Sequence, residues 1–113
     1  MYKAEEMYEG FQYPQEYFQI LDHKLTDFFS WWIWTPEQSE TRLIELSQRF
    51  PSGKYIPIGR RNGNDDVACY QPGKGSKIVV IHDFSSRGHE VREEYEDIWA
   101  FLHMAIDEMR EYI

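Results

Sequence analysis

The sequence predicts an α+β domain: an antiparallel β-meander of three to four strands packed with helices, with a C-terminal helix closing it. Three observations lead there. Apolar residues recur at helical spacing before residue 30 and again after residue 95. Between those stretches, Asn62-Gly63 and the run Pro72-Gly-Lys-Gly-Ser76 separate three short β-prone segments. At 113 residues the chain is long enough for one domain and too short for two. Residues 1–113 are therefore read as a single domain, with the polar and aromatic residues 1–12 loosely held.

The elements follow in order. From Pro14, the run PQEYFQILDHKLTDFF places Tyr17, Ile20 or Leu21, Leu25 and Phe28 about one turn apart, which predicts a helix of three to four turns. The aromatic and β-branched WWIW predicts a short strand. Thr35-Pro36-Glu37-Gln38 has capping-box spacing with proline at the first helical position. It predicts a helix running to about Arg49 that buries Leu43, Leu46 and Phe50, broken by Pro51-Ser-Gly. Tyr55–Gly59 reads as a strand whose proline belongs near an edge or an end. Val67–Gln71 and Lys77–Ile81 are the next two strands. Ile78–Ile81 is apolar on both faces, which calls for cover on both sides. Tyr95, Ile98, Trp99, Leu102, Ala105 or Ile106, and Met109 then recur every three or four positions, marking the last helix.

The chain carries a net charge of −8, with acidic flanks. Residues 1–30 hold two basic and six acidic groups, and residues 84–113 hold three and eight, whereas 53–83 hold five and three. Phosphate binding needs clustered Lys and Arg, so nucleic acid is not the expected partner. An acidic surface favours a basic protein through electrostatic steering. Cys69 is the single cysteine, which forbids an intrachain disulfide and suits a reducing, cytoplasmic setting. No leader pattern opens the chain, and no apolar run approaches the roughly 18 residues of a membrane helix.

The chemistry-bearing residues each have an ordinary structural reading. Gly73-Lys74-Gly75-Ser76 departs from a phosphate loop, because Gly75 rather than Ser follows Lys74 and position 68 is alanine. Asp65 and Asp66, with His82 and His89, offer metal-ligand types for a small hydrolase, but adjacent aspartates at a turn point apart. His82, Asp83, Ser85 and Ser86 include triad residue types without a nucleophile elbow. Cys69 sits mid-strand as a buried thiol. No catalytic residue, metal or cofactor is expected. In a strand, Trp32 and Trp34 face one way and Trp31 and Ile33 the other, which makes Trp32 and Trp34 candidate partner-binding anchors. Asp65, Asp66, Glu93, Glu94 and Asp97 complete the candidate set. The sequence places the last three on the acidic face of the final helix, together with Glu96, Asp107, Glu108 and Glu111. An exposed WWIW edge would allow a homodimer in place of a monomer.

The order of elements resembles the SUKH superfamily, whose members include a yeast cell-wall assembly regulator and many bacterial toxin-immunity proteins. Tyr55-Ile56-Pro57-Ile58-Gly59 looks like that family's Ile-Pro-Phe strand. Gly63–Asp66 followed by Val67-Ala68-Cys69-Tyr70 looks like its Gly/Asp turn and strand. Lys77–Asp83 is similar to its strand ending at an acidic or amide residue, and Tyr95–Leu102 to its closing helix. Tyr13-Pro14-Gln15-Glu16-Tyr17 is similar to its Leu-Pro-x-x-Tyr opening. The family's Asn-Gly after the first helix is missing. The resemblance implies a domain without enzymatic activity that acts by binding, in bacteria usually by blocking a cognate toxin such as a basic nuclease. A scaffold role toward a non-toxin host protein is the alternative.

Overall fold

The computed structural model describes residues 3–113. The elements are α1 (Ala4–Met7), α2 (Gln15–Asp22), β1 (Trp31–Ile33), α3 (Glu40–Arg49), β2 (Ile56–Arg61), β3 (Asp66–Tyr70), β4 (Ile78–His82), β5 (Val91–Tyr95) and α4 (Ile98–Tyr112). The strands form one antiparallel sheet in the order β1-β2-β3-β4-β5, an unbroken meander. The α+β meander closed by a C-terminal helix is thus as expected, with five strands rather than three or four.

Alternation along the strands sends side chains to opposite faces and builds two cores. Ile56 and Ile58, Ala68 and Tyr70, and Ile78 and Val80 join Trp31 and Ile33 in the larger core. It is shared with Tyr17 and Ile20 of α2 and with Ile98, Phe101, Leu102 and Ala105 of α4. Val67, Cys69, Val79 and Ile81 pack on the other face against Leu46 of α3, Phe50 just after it, and Tyr55. Ile78–Ile81 is covered on both sides, as its doubly apolar sequence requires.

Several boundaries differ from the sequence reading for identifiable reasons. Helix α2 stops after two turns, because Lys24 enters the left-handed region (φ 57°). The Lys24 N–H donates to the Leu21 carbonyl and the Leu25 N–H to that of Ile20, each at 3.0 Å. This is a Schellman stop with lysine where glycine is usual. Leu25 is left exposed, while Phe28 is buried in a tight turn leading into β1. The N-terminal segment, expected to be loose, is anchored by buried Ala4 and Phe11. Met1 and Tyr2 lie outside the described residues.

The Thr35 capping box forms as read. Gln38 N–H donates to Thr35 Oγ1 at 3.2 Å, and Thr35 N–H to Gln38 Oε1 at 2.9 Å. It holds a turn ahead of α3 rather than its first residues. Pro57 lies in β2, between β1 and β3, but β1 pairs only with Gly59–Arg61, so no β1 partner is deprived of a bond. Gly59 has a separate role: a Cβ there would sit 2.4 Å from the Trp32 carbonyl oxygen, so only glycine lets the strands meet. The Asn62-Gly63 turn uses glycine's conformational freedom, with Gly63 at φ 89°.

The largest correction concerns residues 91–95. Val-Arg-Glu-Glu-Tyr forms edge strand β5, and α4 begins only at Ile98. Asp97 is the cap, its carboxylate accepting from Ala100 N–H at 2.9 Å. The buried stripe of α4 is therefore Ile98, Phe101, Leu102 and Ala105, and Trp99 and Ile106 face outward.

Candidate partner-binding surface

Strand β1 divides its aromatic residues as strand geometry requires. Trp31 is fully buried edge-to-face on Phe101 (4.9 Å between centroids), with the Arg61 guanidinium 4.7 Å over its indole. Trp34 packs partly against the α3-side core beneath Arg42, and its carbonyl accepts from the Tyr17 hydroxyl at 2.5 Å. Trp32, by contrast, keeps 41% of its surface exposed. It lines a shallow depression with Thr26, Thr35, Gln38 and Arg60 on one edge of the sheet. Of the two proposed anchors, Trp32 is exposed, and half-buried Trp34 lines the same depression.

The paired aspartates separate, as expected at a turn. Asp65 is exposed. Asp66 turns toward the sheet, 3.3 Å from Arg61 and 3.0 Å from His82 Nδ1. Arg61 also pairs with Glu108 of α4, which accepts from Ser30 Oγ at 3.1 Å. This chain of contacts ties the end of β2, the start of β3 and Ser30, just before β1, to α4.

Neighbouring His82 and Asp83 have different partners. Asp83 is fully buried, receiving two 2.7 Å hydrogen bonds from Arg49 and one of 3.0 Å from Arg42, both on α3. Such a bidentate, charge-assisted arrangement neutralises the carboxylate. Burial pushes the Cys69 thiol well above its ordinary value, which keeps it protonated. The triad types are therefore not brought together, and Asp65 and His89 do not join Asp66 and His82. Among the described residues, no three His, Cys, Asp or Glu side chains gather as a metal's ligands would.

Glu93 and Glu94 are exposed on β5, not on α4 as their sequence position suggested. Glu93 accepts from the Tyr95 hydroxyl, and Glu94 lies 3.2 Å from Lys77. Asp97 is half-buried and caps α4 through one carboxylate oxygen. The candidate residues thus do not form one surface. Trp32 lies on β1 and Glu93 and Glu94 on β5, the two opposite edges of the sheet. The exposure of Trp99, at 51%, was not read from the sequence. Including Phe101 in the apolar stripe would have revealed it, because a stripe through Ile98, Phe101, Leu102 and Ala105 leaves Trp99 more than a quarter turn from its centre. No helix is long and apolar enough to cross a membrane among the described residues.

No family model, curated protein or solved structure matches the chain.

Proposed function

We propose that the chain is a SUKH-like, non-enzymatic protein-binding domain, and specifically a bacterial immunity protein that neutralises a basic, nuclease-type toxin by direct binding. The observation that carries this reading is the β5 edge. It ends the sheet, has no second strand neighbour among the described residues, and exposes Val91 through Glu94, with two adjacent carboxylates. An unpaired strand edge offers backbone donors and acceptors to a partner, and the carboxylates select a basic one. The net charge of −8 adds long-range steering. The residues that might have suggested catalysis have structural partners instead: Asp83 holds α3, and His82 pairs with Asp66.

The test begins with the protein encoded beside this chain. A secreted basic toxin there is expected to bind with one-to-one stoichiometry, with affinity falling as salt rises. Glu93→Lys with Glu94→Lys is expected to weaken binding about tenfold or more. An unchanged affinity and an unchanged salt dependence in that variant would remove β5 as the contact surface.

A further inference from the structure

A cleft at the junction of α1, α2 and the turn leading into α3 has a composition that none of the foregoing uses. Its volume is about 230 Å³, below the roughly 300–1,000 Å³ typical of pockets for drug-sized ligands and suited to a single side chain. Two aromatic rings form its walls. Tyr13 and Phe18 stand nearly perpendicular, at 71°, with centroids 5.6 Å apart. Leu43 contributes to the apolar lining. Glu5, Glu37 and Glu40 also line the cleft, with Lys3 the one cation among the described lining residues.

Tyr13 and the turn that carries Glu37 are held in place. Tyr13 is stacked on buried Tyr17 at 4.8 Å and meets Phe11 edge-on at 5.0 Å, so its ring is fixed by the core. Glu37 lies within the turn locked by the Thr35–Gln38 capping box. Phe18 leaves 43% of its surface exposed beside this fixed wall. The carboxylates act on the cleft: the Tyr13 hydroxyl is pushed above its ordinary range, first by burial and then by the charges of Glu5 and Glu37. Aromatic faces attract cations, and carboxylates at the mouth exclude anions and complete the charge of an ammonium or guanidinium.

We infer that this cleft seats one basic side chain, lysine or arginine, of the protein partner, walled by Tyr13 and Phe18 and charge-matched by Glu5 and Glu37. The inference rests on the protein-binding reading above, but its chemistry can be tested without the partner. The measurement is aromatic ¹H–¹³C NMR of the full chain during titration with the amides of Nα-acetyl-lysine, Nα-acetyl-arginine and Nα-acetyl-norleucine. Saturable shifts at Tyr13 and Phe18 are expected with the lysine or arginine probe at millimolar concentration, and not with norleucine. Glu5→Gln with Glu37→Gln is expected to weaken that binding at least threefold, as is Phe18→Ala. Unchanged backbone amide spectra would show that these surface variants still fold.

Rings unmoved by either cation, or moved equally by norleucine, would overturn the cleft's chemistry. Once a partner is in hand, equal affinity for wild type and for the Glu5→Gln/Glu37→Gln variant would overturn its use in docking while leaving the binding function standing. Loss of affinity in that variant at low salt, with Glu93 and Glu94 intact, would support it.

Discussion

The two faces of the sheet hold their helices by different chemistry. On one face α2 and α4 insert large apolar side chains into a broad aromatic core, with Trp31, Tyr17, Tyr70 and Phe101 all fully buried. On the other, α3 and the residue that follows it make a smaller apolar contact through Leu46 and Phe50, and α3 is clamped by Arg42 and Arg49 onto fully buried Asp83. Buried Glu90 sits nearby in the same manner, accepting from the Tyr55 hydroxyl at 2.6 Å and from Gly88 N–H at 2.7 Å. The contrast teaches where each kind of force is useful. Apolar burial supplies most of the free energy and tolerates sliding, whereas a buried carboxylate met by two arginines accepts one helix position only. A pair of this kind adds little net stability over an apolar replacement, but breaking it by removing one partner is costly.

Substitutions can sharpen that contrast. The largest effect is expected on the apolar face: Phe101→Ala should cost about 3–5 kcal/mol, by lost transfer energy and the cavity left under Trp31. Denaturant unfolding measures it. Asp83→Ala should cost about 3 kcal/mol, at the low end for a broken buried pair because both arginines retain some solvent contact. A cost below about 1 kcal/mol would mean that the apolar contacts of Leu43, Leu46 and Phe50 suffice to hold α3. Tyr55→Phe should cost about 1.5–2 kcal/mol, because it withdraws a hydrogen bond from a buried carboxylate.

The faces also differ toward acid. Burial alone would raise Glu90, but the hydrogen bonds from Tyr55 and Gly88 and the nearby His89 outweigh it, and its pKa is lowered. A carboxyl depressed in the folded state contributes stability above its unfolded value, and that contribution is lost as pH falls through the folded value. Acid below the ordinary carboxylate range, 4.5 for Glu90, should therefore loosen the α3 side, and Tyr55→Phe should flatten this part of the pH–stability curve. On the α4 side Tyr17 and Tyr70 are raised above 10 by burial, followed by neighbouring charges. Their contribution is complete below about pH 10 and falls away as pH rises above it. The smallest effect is a gain. Lys24→Gly should stabilise by about 0.5–1 kcal/mol, since glycine adopts the left-handed stop of α2 without a Cβ penalty.

What was legible in the sequence follows the same division. Strands β2, β3 and β4 were readable because each is bounded by a turn with its own chemistry and each holds a short run of residues buried on both faces. The Thr35–Gln38 box was readable because capping is local. Strand β5 was not, since Val91 through Glu94 are all exposed and leave no alternation to detect, and its glutamates suit a helix equally well. The end of α2 was obscured because lysine occupies the position where glycine would have signalled it. In the candidate surface, the opposite facing of Trp31 and Trp32 could be read from strand period alone. Asp83 with Arg42 and Arg49, or Tyr13 beside Glu37, could not, because these partners are joined by the fold and not by spacing.

The central claim is that the acidic β5 edge receives a basic protein partner. The most direct measurement captures proteins from the native host, and the product of the neighbouring gene, on wild-type and Glu93→Lys/Glu94→Lys baits in parallel at low and high salt. The account predicts one stoichiometric basic protein held by the wild type at low salt, and lost both at high salt and on the variant bait. The same protein retained equally by both baits at both salt concentrations would contradict it.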